Sequence, residues 1–417
     1  LTAIFSKGLP QMTELPTAPA TFPQERTTGC PFEPPARFAE LRETQPISQA
    51  ACPAGMDAWV VTRYDDVRNM LRDPRLSSRK APSAHAMPMV DLDQPVSPGS
   101  LLQLDGEQHA RLRRTVTAEF TVRRIEAMRP YLQQIIDEHI DALLAGPNQV
   151  DLIQAFALPI PSLVICELLG VPYEDRHDFH QQSATLVAVD GDPEAAQDAF
   201  NAMAQYMGAM FQAKVLEPGD DLISRLIVRG QESGEPFPIS ILVELGITLL
   251  IAGHETTANM IALSTAALLQ QPEQLAKLRA NPELAPGAVE EMLRYLSVIQ
   301  FGLLRYATED FELGEHSIRA GEWLVASLSS GNWDESVYPG ADQIDLERKA
   351  KTHLAFGFGI HQCLGQQLAR VELQEVFVRL FQRIPTLRLA VPLEDLDFKH
   401  NTLVYGMREL PVAWEDD

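Results

Sequence analysis

The sequence predicts a mainly α-helical protein with a small β portion. Three observations predict it. Apolar residues recur at helical spacing over long runs between residues 106 and 270, strand-like runs are few and short, and no internal repeat or polar linker of ten or more residues divides the chain. The 417 residues are 45% hydrophobic and 22% charged, which supplies a substantial core and excludes disorder over the whole length. Residues 1–23 are expected to be a flexible N-terminal arm or a start-site remnant, Met12 being an alternative start, and residues 24–417 a single domain.

Taken in order, residues 13–50 are rich in Pro, Thr and Glu and read as an extended arm around a short helix at 35–43. Residues 58–62 suit a strand and 65–71 a short helix. From 77 to 102 the chain is rich in Pro and Ser with scattered Met, Val and Leu, and a connection this long without structure of its own is more often functional than a plain link. Helical patterns follow over 106–118, 123–144, 159–169 and 193–216, and the longest, 238–270, exceeds the usual globular helix. Pro282 and the Glu290–Arg294 stretch mark another helix. Strand-like material returns over 304–313 and 323–327. A last helix is expected to begin near Cys363 and run to about Phe381, stopped by Pro385.

The formal net charge of −23 argues against non-specific binding to nucleic acid or an anionic membrane. Cys30, Cys52, Cys166 and Cys363 are scattered without a CxxC pair, so a disulfide framework is not expected and a reducing cytoplasm fits. No basic-then-apolar signal segment opens the chain. The most apolar stretch, 241–250, contains Glu244 and runs into His254 and Glu255, which suits a buried helix lining a polar site better than a membrane span.

Two segments carry chemistry. Residues 356–365 read FGFGIHQCLG, with three glycines around Cys363 directly before a helical run. A thiolate ligand for a flat macrocycle needs a chain that approaches closely, which Gly357 and Gly359 permit. Amides of the turn and of the following helix start would stabilise the anion, and Phe356 could shield the sulfur. From the residues alone, a structural cysteine buried in a glycine-rich turn stands beside that reading. In the longest helix, IAGHETTAN (251–259) places small Ala252 and Gly253 beside a carboxyl and a hydroxyl, Glu255 and Thr256. A mid-helix hydroxyl can bond back to a carbonyl one turn earlier, and the small residues leave room for a ligand. An incidental polar spot is the plainer alternative.

FGFGIHQCLG resembles the haem-binding signature of cytochromes P450, Phe-Gly-x-Gly-x-His-x-Cys-x-Gly, at every specified position, and AGHET resembles their oxygen-activation motif. The resemblance spans about residues 24–414 and is strongest to soluble, actinobacterial-type members acting on polyketides, steroids and xenobiotics. It implies the cytochrome P450 fold, a triangular helical prism with a small β-rich portion. The implied cofactor is haem b with Cys363 as axial thiolate and sole metal ligand, bordered by Phe356, Gly357 and Ala252. Glu255 and Thr256 are implied as the pair that binds dioxygen and relays protons to it, and His254 receives no role. His109 and Arg113, one helical turn apart, together with Arg305, His353 and His361, resemble positions that meet the haem propionates. Glu291 and Arg294 share a helix face and resemble the structural Glu-x-x-Arg pair. One departure stands out: Trp333 occupies a position where the family commonly has an arginine that joins this pair.

The activity implied is monooxygenation, one atom of O2 entering a mostly apolar, moderate-to-large organic molecule such as a natural product, steroid-like compound or xenobiotic. The pocket is expected to draw on Met87, Met89, Val90, Leu92 and Val96, on Leu186 and Val187, on Thr248, and on Ile299, Phe301, Gly302 and Leu303. No nicotinamide or flavin motif appears, so electrons are expected from a ferredoxin or flavodoxin with its reductase. A basic patch of Arg111, Arg114, Arg348, Lys349 and Lys351 is the expected dock. Three alternatives stay open: a P450-type nitric oxide reductase taking electrons directly from NADH, a non-catalytic haem-binding or carrier-interacting protein, and a peroxide-using enzyme.

Overall fold

The Ile239–Leu269 helix runs through the core, with Leu250, Ile261, Ala262, Leu263, Ala266 and Leu268 fully buried. It is apolar over most of its surface because it is packed over most of it: helices Pro159–Leu169, Pro193–Leu216 and Gln366–Arg383 lie against it, as does a π-helical turn at Ile153–Ala157. By length and composition alone it could cross a membrane, but its buried residues extend from Leu242 to Leu268 within the protein. The computed structural model describes residues 20–21, 26, 30–52, 56–79, 96–175, 193–400 and 402–415.

Local chemistry sets the helix ends. Pro159–Leu169 starts with proline in its first turn and ends at Gly170, whose φ of 69° lets the Val171 amide reach the Cys166 carbonyl at 2.8 Å and close the last turn. The expected helix over 123–144 is two helices, Val122–Ala127 and Arg129–Ala145. Pro130 lacks an amide hydrogen and can only sit in a first turn, so the chain breaks at Met128 and restarts. The last helix starts at Gln366, leaving Cys363 in the loop before it. Helices Leu222–Glu232, capped by the Asp221 carboxylate on the Ser224 amide, and Pro272–Ala280 were not anticipated from the sequence.

The strands are β1 (Ala20–Thr21), β2 (Ile47–Cys52), β3 (Met56–Val61), β4 (Leu76–Ser77), β5 (Gln149–Asp151), β6 (Leu303–Ala307), β7 (Phe311–Leu313), β8 (His316–Ile318), β9 (Trp323–Ala326), β10 (Arg388–Leu389) and β11 (Pro411–Ala413). Six form one sheet in the order β1-β2-β3-β9-β6-β4. Strand β2, read from sequence as part of an arm, pairs antiparallel with β3 from Ile47 opposite Val61. Strand β6 pairs antiparallel with β9, and the two-residue period sets Leu303 and Arg305 on one face.

Behind the sheet, Glu291 and Arg294 on helix Ala285–Leu296 are both fully buried and joined by two hydrogen bonds of 2.8 Å. Arg294 also donates to the carbonyls of Asn332 and Ala341, and Arg348 donates to Glu291 at 3.1 Å. Trp333 donates its indole N–H to the Tyr295 carbonyl at 2.9 Å and packs on the Tyr295 ring. Arg348 therefore supplies a second cation to Glu291, and Trp333 ties the same helix by its end. Breaking a buried pair strands an uncompensated charge. Arg294→Ala is expected to cost about 3–5 kcal/mol in chemical denaturation, more than Lys277→Ala, whose exposed partner is Glu347.

Candidate active site

A cavity of about 1460 Å³ opens between the long helix, strand β6, the Cys363 loop and a C-terminal hairpin around residues 398–407. The Cys363 loop forms its floor. Gly357 and Gly359 have φ of 68° and 80°, and a side chain on Gly359 would meet the Leu71 carbonyl oxygen at 2.6 Å, so both glycines are required by the backbone and Gly359 by space as well. The Cys363 amide donates to the Phe356 carbonyl at 2.8 Å, which folds the loop back on itself. Burial pushes the Cys363 thiol up, opposed by the Gly365 and Gln366 amides and by the charges of Arg113 and Arg370. The helix that follows thus presents its first amides to the sulfur.

One side of the cavity is cationic. Arg305 is buried, makes no ion pair among the described residues, and donates to its neighbour's Leu304 carbonyl; burial brings it down to about 10. Arg113 donates to the Gln362 carbonyl and also lines the cavity, as does His361. His361 Nε2 lies 3.2 Å from Asp105, and its ring lies 4.2 Å from that of buried His109, tilted by 42°. Burial, with the charges of His361 and Arg113, brings His109 down to about 4, and its Nε2 has no hydrogen-bond partner among the described residues. Guanidinium and imidazole donors left short of acceptors beside a large apolar space fit a flat group carrying two carboxylates, and the Cys363 floor fits its iron. The residues present therefore fit haem b.

The wall facing Cys363 is the long helix. Thr256 Oγ1 donates back to the Ala252 carbonyl at 2.7 Å, one turn earlier, leaving its lone pairs available to the cavity. Ala252 and Thr256 line the space directly. Gly253 has a second reason to be small: a side chain there would meet Ile165 at 2.6 Å, so this glycine lets two helices cross closely. Glu255 is held by Asn259 Nδ2 at 2.9 Å and by Lys399 Nζ at 3.2 Å. Gly406 packs so tightly on Asn259 that a side chain there would lie 1.6 Å from its amide oxygen.

Of the positions expected to form the pocket, Thr248, Ile299, Phe301, Gly302 and Leu303 line the cavity, with Phe356, Gly357, Arg113, Arg305 and His361. Val96 packs against the core but is not among the lining residues. Met87, Met89, Val90, Leu92, Leu186 and Val187 lie outside the described residues. His109 sits behind His361. His353 is directed elsewhere: its Nε2 is 3.3 Å from Glu290 and it is not a lining residue, because the Ala355 amide takes its other nitrogen and fixes the ring. Arg348 is taken from the expected basic patch by Glu291, Pro339 and Gly340, whereas Arg111, Arg114, Lys349 and Lys351 are exposed.

Sequence reasoning missed Lys399, Glu372 and the hairpin residues Thr402, Leu403 and Val404, all of which line the cavity. Burial pushes Glu372 up to about 8, and its Oε2 has no partner among the described residues. A glutamate on the apolar face of the run QQLARVELQEVF was the available signal for it. Lys399 had none, since its role comes from a turn that only tertiary packing brings to Glu255.

A family model described as Cytochrome P450 matches residues 283–387. Cytochrome P450-SU2 from Streptomyces griseolus is 45% identical over 399 residues, covering 94% of this chain and 97% of that protein. Vitamin D3 dihydroxylase from the same organism is 43% identical over 411 residues, covering 97% of this chain and all of that protein. The crystal structure of CYP105P1 in complex with filipin I superposes with a TM-score of 0.88 at 44% identity, covering 96% of this chain and 100% of that one. With identity at this level over nearly the full length of each relative, and with a cysteine loop facing an Ala-Gly-x-Glu-Thr helix across one cavity, the chain belongs to the cytochrome P450 family.

Proposed function

We propose that this protein is a haem-thiolate monooxygenase that hydroxylates a mostly apolar, moderate-to-large natural product or related molecule. The observation that carries the reading is that Cys363, Ala252 and Thr256 border one large cavity whose other lining is chiefly aliphatic and aromatic. Haem b, held through Cys363 with Arg113, Arg305 and His361 at its carboxylates, supplies dioxygen activation and one-electron chemistry when bound.

The chain's own residues position and protonate. The Thr256 hydroxyl, tied to the Ala252 carbonyl, is fixed in direction and accepts or passes a proton at the cavity wall. Glu255 stands next to it in sequence with one oxygen on Asn259 and Lys399, and it exchanges protons between solvent and Thr256. Leu303, Phe301 and Ile299 exclude water and orient an apolar substrate, while Thr248, Gln103 and Thr402 offer the few polar contacts. Ser97 and Gly99 bond to Glu244 on the long helix, and Ser97, Ser100, Leu101 and Leu102 line the cavity there. A ferredoxin or flavodoxin with its reductase is the electron source we favour, meeting exposed Arg111, Arg114, Lys349 and Lys351. The four cysteines, all unpaired, suit a cytoplasmic setting.

Vitamin D3 and filipin I, named with two relatives, are the first probes for a substrate-type spectral shift. The dithionite-reduced protein with carbon monoxide should show the red-shifted band of a thiolate-ligated haem, and Cys363→Ala should lose it. A wild type without that band would overturn the reading. Arg305→Leu should release haem to apomyoglobin about tenfold faster, as expected when one charge-assisted hydrogen bond to a carboxylate is lost. With a turned-over probe, Glu255→Gln should lower product formation about 100-fold while its spectral dissociation constant stays near wild type, the pattern of a lost proton donor rather than lost binding.

A further inference from the structure

Behind the Cys363 loop, on the side away from the cavity, lies a buried charged cluster that the mechanism above does not use. Arg370, on the helix that starts at Gln366, places its guanidinium 4.6 Å over the Phe356 ring. Phe356 is itself bonded to the cysteine, its carbonyl accepting the Cys363 amide. Arg370 is gripped by Glu290 through two hydrogen bonds of 2.6 and 3.1 Å, and its remaining nitrogen bonds to the Gln366 carbonyl and side chain. His353 lies beside Glu290: the Ala355 amide donates to Nδ1 at 3.1 Å, so the ring proton sits on Nε2, which faces the carboxylate at 3.3 Å without hydrogen-bond geometry. Glu290 and His353 are buried, with Glu290 held down to about 2 against its burial by His353 and Arg370.

Arg370 and Arg113 are the two cations felt at the Cys363 sulfur, yet they differ in one respect. Arg113 makes no ion pair among the described residues, whereas Arg370 is matched by a full carboxylate through two hydrogen bonds. We propose that Glu290 and Arg370, with His353 orienting the carboxylate, are positioning residues that set how much positive charge the thiolate feels, and hence the reduction potential of the haem that Cys363 holds. Glu290 cancels most of the field of Arg370, which keeps the sulfur a strong donor. Arg370 in turn, stacked on Phe356, stops the carboxylate from facing the sulfur bare. Adding an electron to the haem–thiolate unit is favoured by a nearby positive charge and opposed by a nearby negative one. The two members of the pair therefore act in opposite directions on the same quantity.

The proposal rests on the haem-thiolate reading, and its test separates the two. Midpoint potentials of the purified holoenzyme are measured by spectral redox titration for wild type, Glu290→Gln, Arg370→Gln and the double variant, each after its carbon monoxide band is recorded. Glu290→Gln should move the potential positive, because Arg370 keeps its Gln366 contacts and its charge is no longer cancelled. Arg370→Gln should move it negative, and the double variant should return close to wild type. A merely structural role predicts the same direction for both single changes and a larger shift for the double. That pattern, or unmoved potentials in every variant with a normal thiolate band, overturns the proposal, whereas a wild type lacking the band overturns the haem-thiolate reading instead. Should Glu290→Gln fail to fold, Arg370→Lys against Arg370→Gln decides: retention of the wild-type potential by the lysine alone supports a charge effect, and equal shifts in both exclude it.

Discussion

Placing the Cys363 sulfur at the cavity floor, where desolvation pushes its thiol up, is the constraint on which the surrounding structure depends. Fixed dipoles and charges aimed at the sulfur oppose that rise. The chain supplies them from two directions: the Gly365 and Gln366 amides at the start of the last long helix, and the guanidinium groups of Arg113 and Arg370. Amides point at the sulfur only if the chain turns sharply just before the helix, which requires the left-handed conformations of Gly357 and Gly359 and the bond from the Cys363 amide to Phe356. The FGFGIHQCLG sequence is the shortest statement of that geometry, since Gly357 and Gly359 both answer to a left-handed backbone angle.

The opposite wall shows a different use of small residues. Gly253 and Gly406 are also small for the neighbours packed on them, Ile165 and Asn259. By letting a neighbouring helix and a hairpin come within contact distance of the long helix, they hold it in place while Ala252 and Thr256 face inward. Gln300 stitches the same hairpin down, its amide donating to the carbonyls of His400 at 2.6 Å and Thr402 at 2.8 Å. Rigidity outside the cavity and openness inside it thus come from one helix whose two faces carry different demands.

This division explains what was legible in the sequence. Helices and strands with strong periodicity were placed within a few residues, and the cysteine loop, Glu255, Thr256, Arg113, Arg305 and His361 line one cavity. What was missed depends on partners far away in the chain. Strand β2 has a weak pattern of its own and exists because β3 pairs with it. Lys399 matters only because the hairpin docks on Asn259, and His353 turns from the cavity because the Ala355 amide takes its Nδ1 and its Nε2 faces Glu290 at 3.3 Å. The break at Met128 was readable, since Pro130 cannot donate within a continuous helix, but a long apolar period hid it.

Trp333 shows how the buried network around Glu291 does without a charge at that position. What a buried carboxylate such as Glu291 requires is enough donors at its oxygens, and their source is secondary. Arg294 provides two, Arg348 one and the Asp345 amide another, so both oxygens are satisfied without a cation from position 333. A cation at 333 would itself need an acceptor in a site already occupied by Arg294 and Arg348. Tryptophan avoids that need: its single N–H is matched by the Tyr295 carbonyl, and its ring fills the space against Tyr295. The remaining function of the position, anchoring the chain after the Leu328–Asn332 helix to helix Ala285–Leu296, passes to an indole hydrogen bond and a ring contact, and the demand for charge falls on Arg348. That is also why Arg348 is withheld from the surface, where its sequence neighbours Lys349 and Lys351 remain exposed.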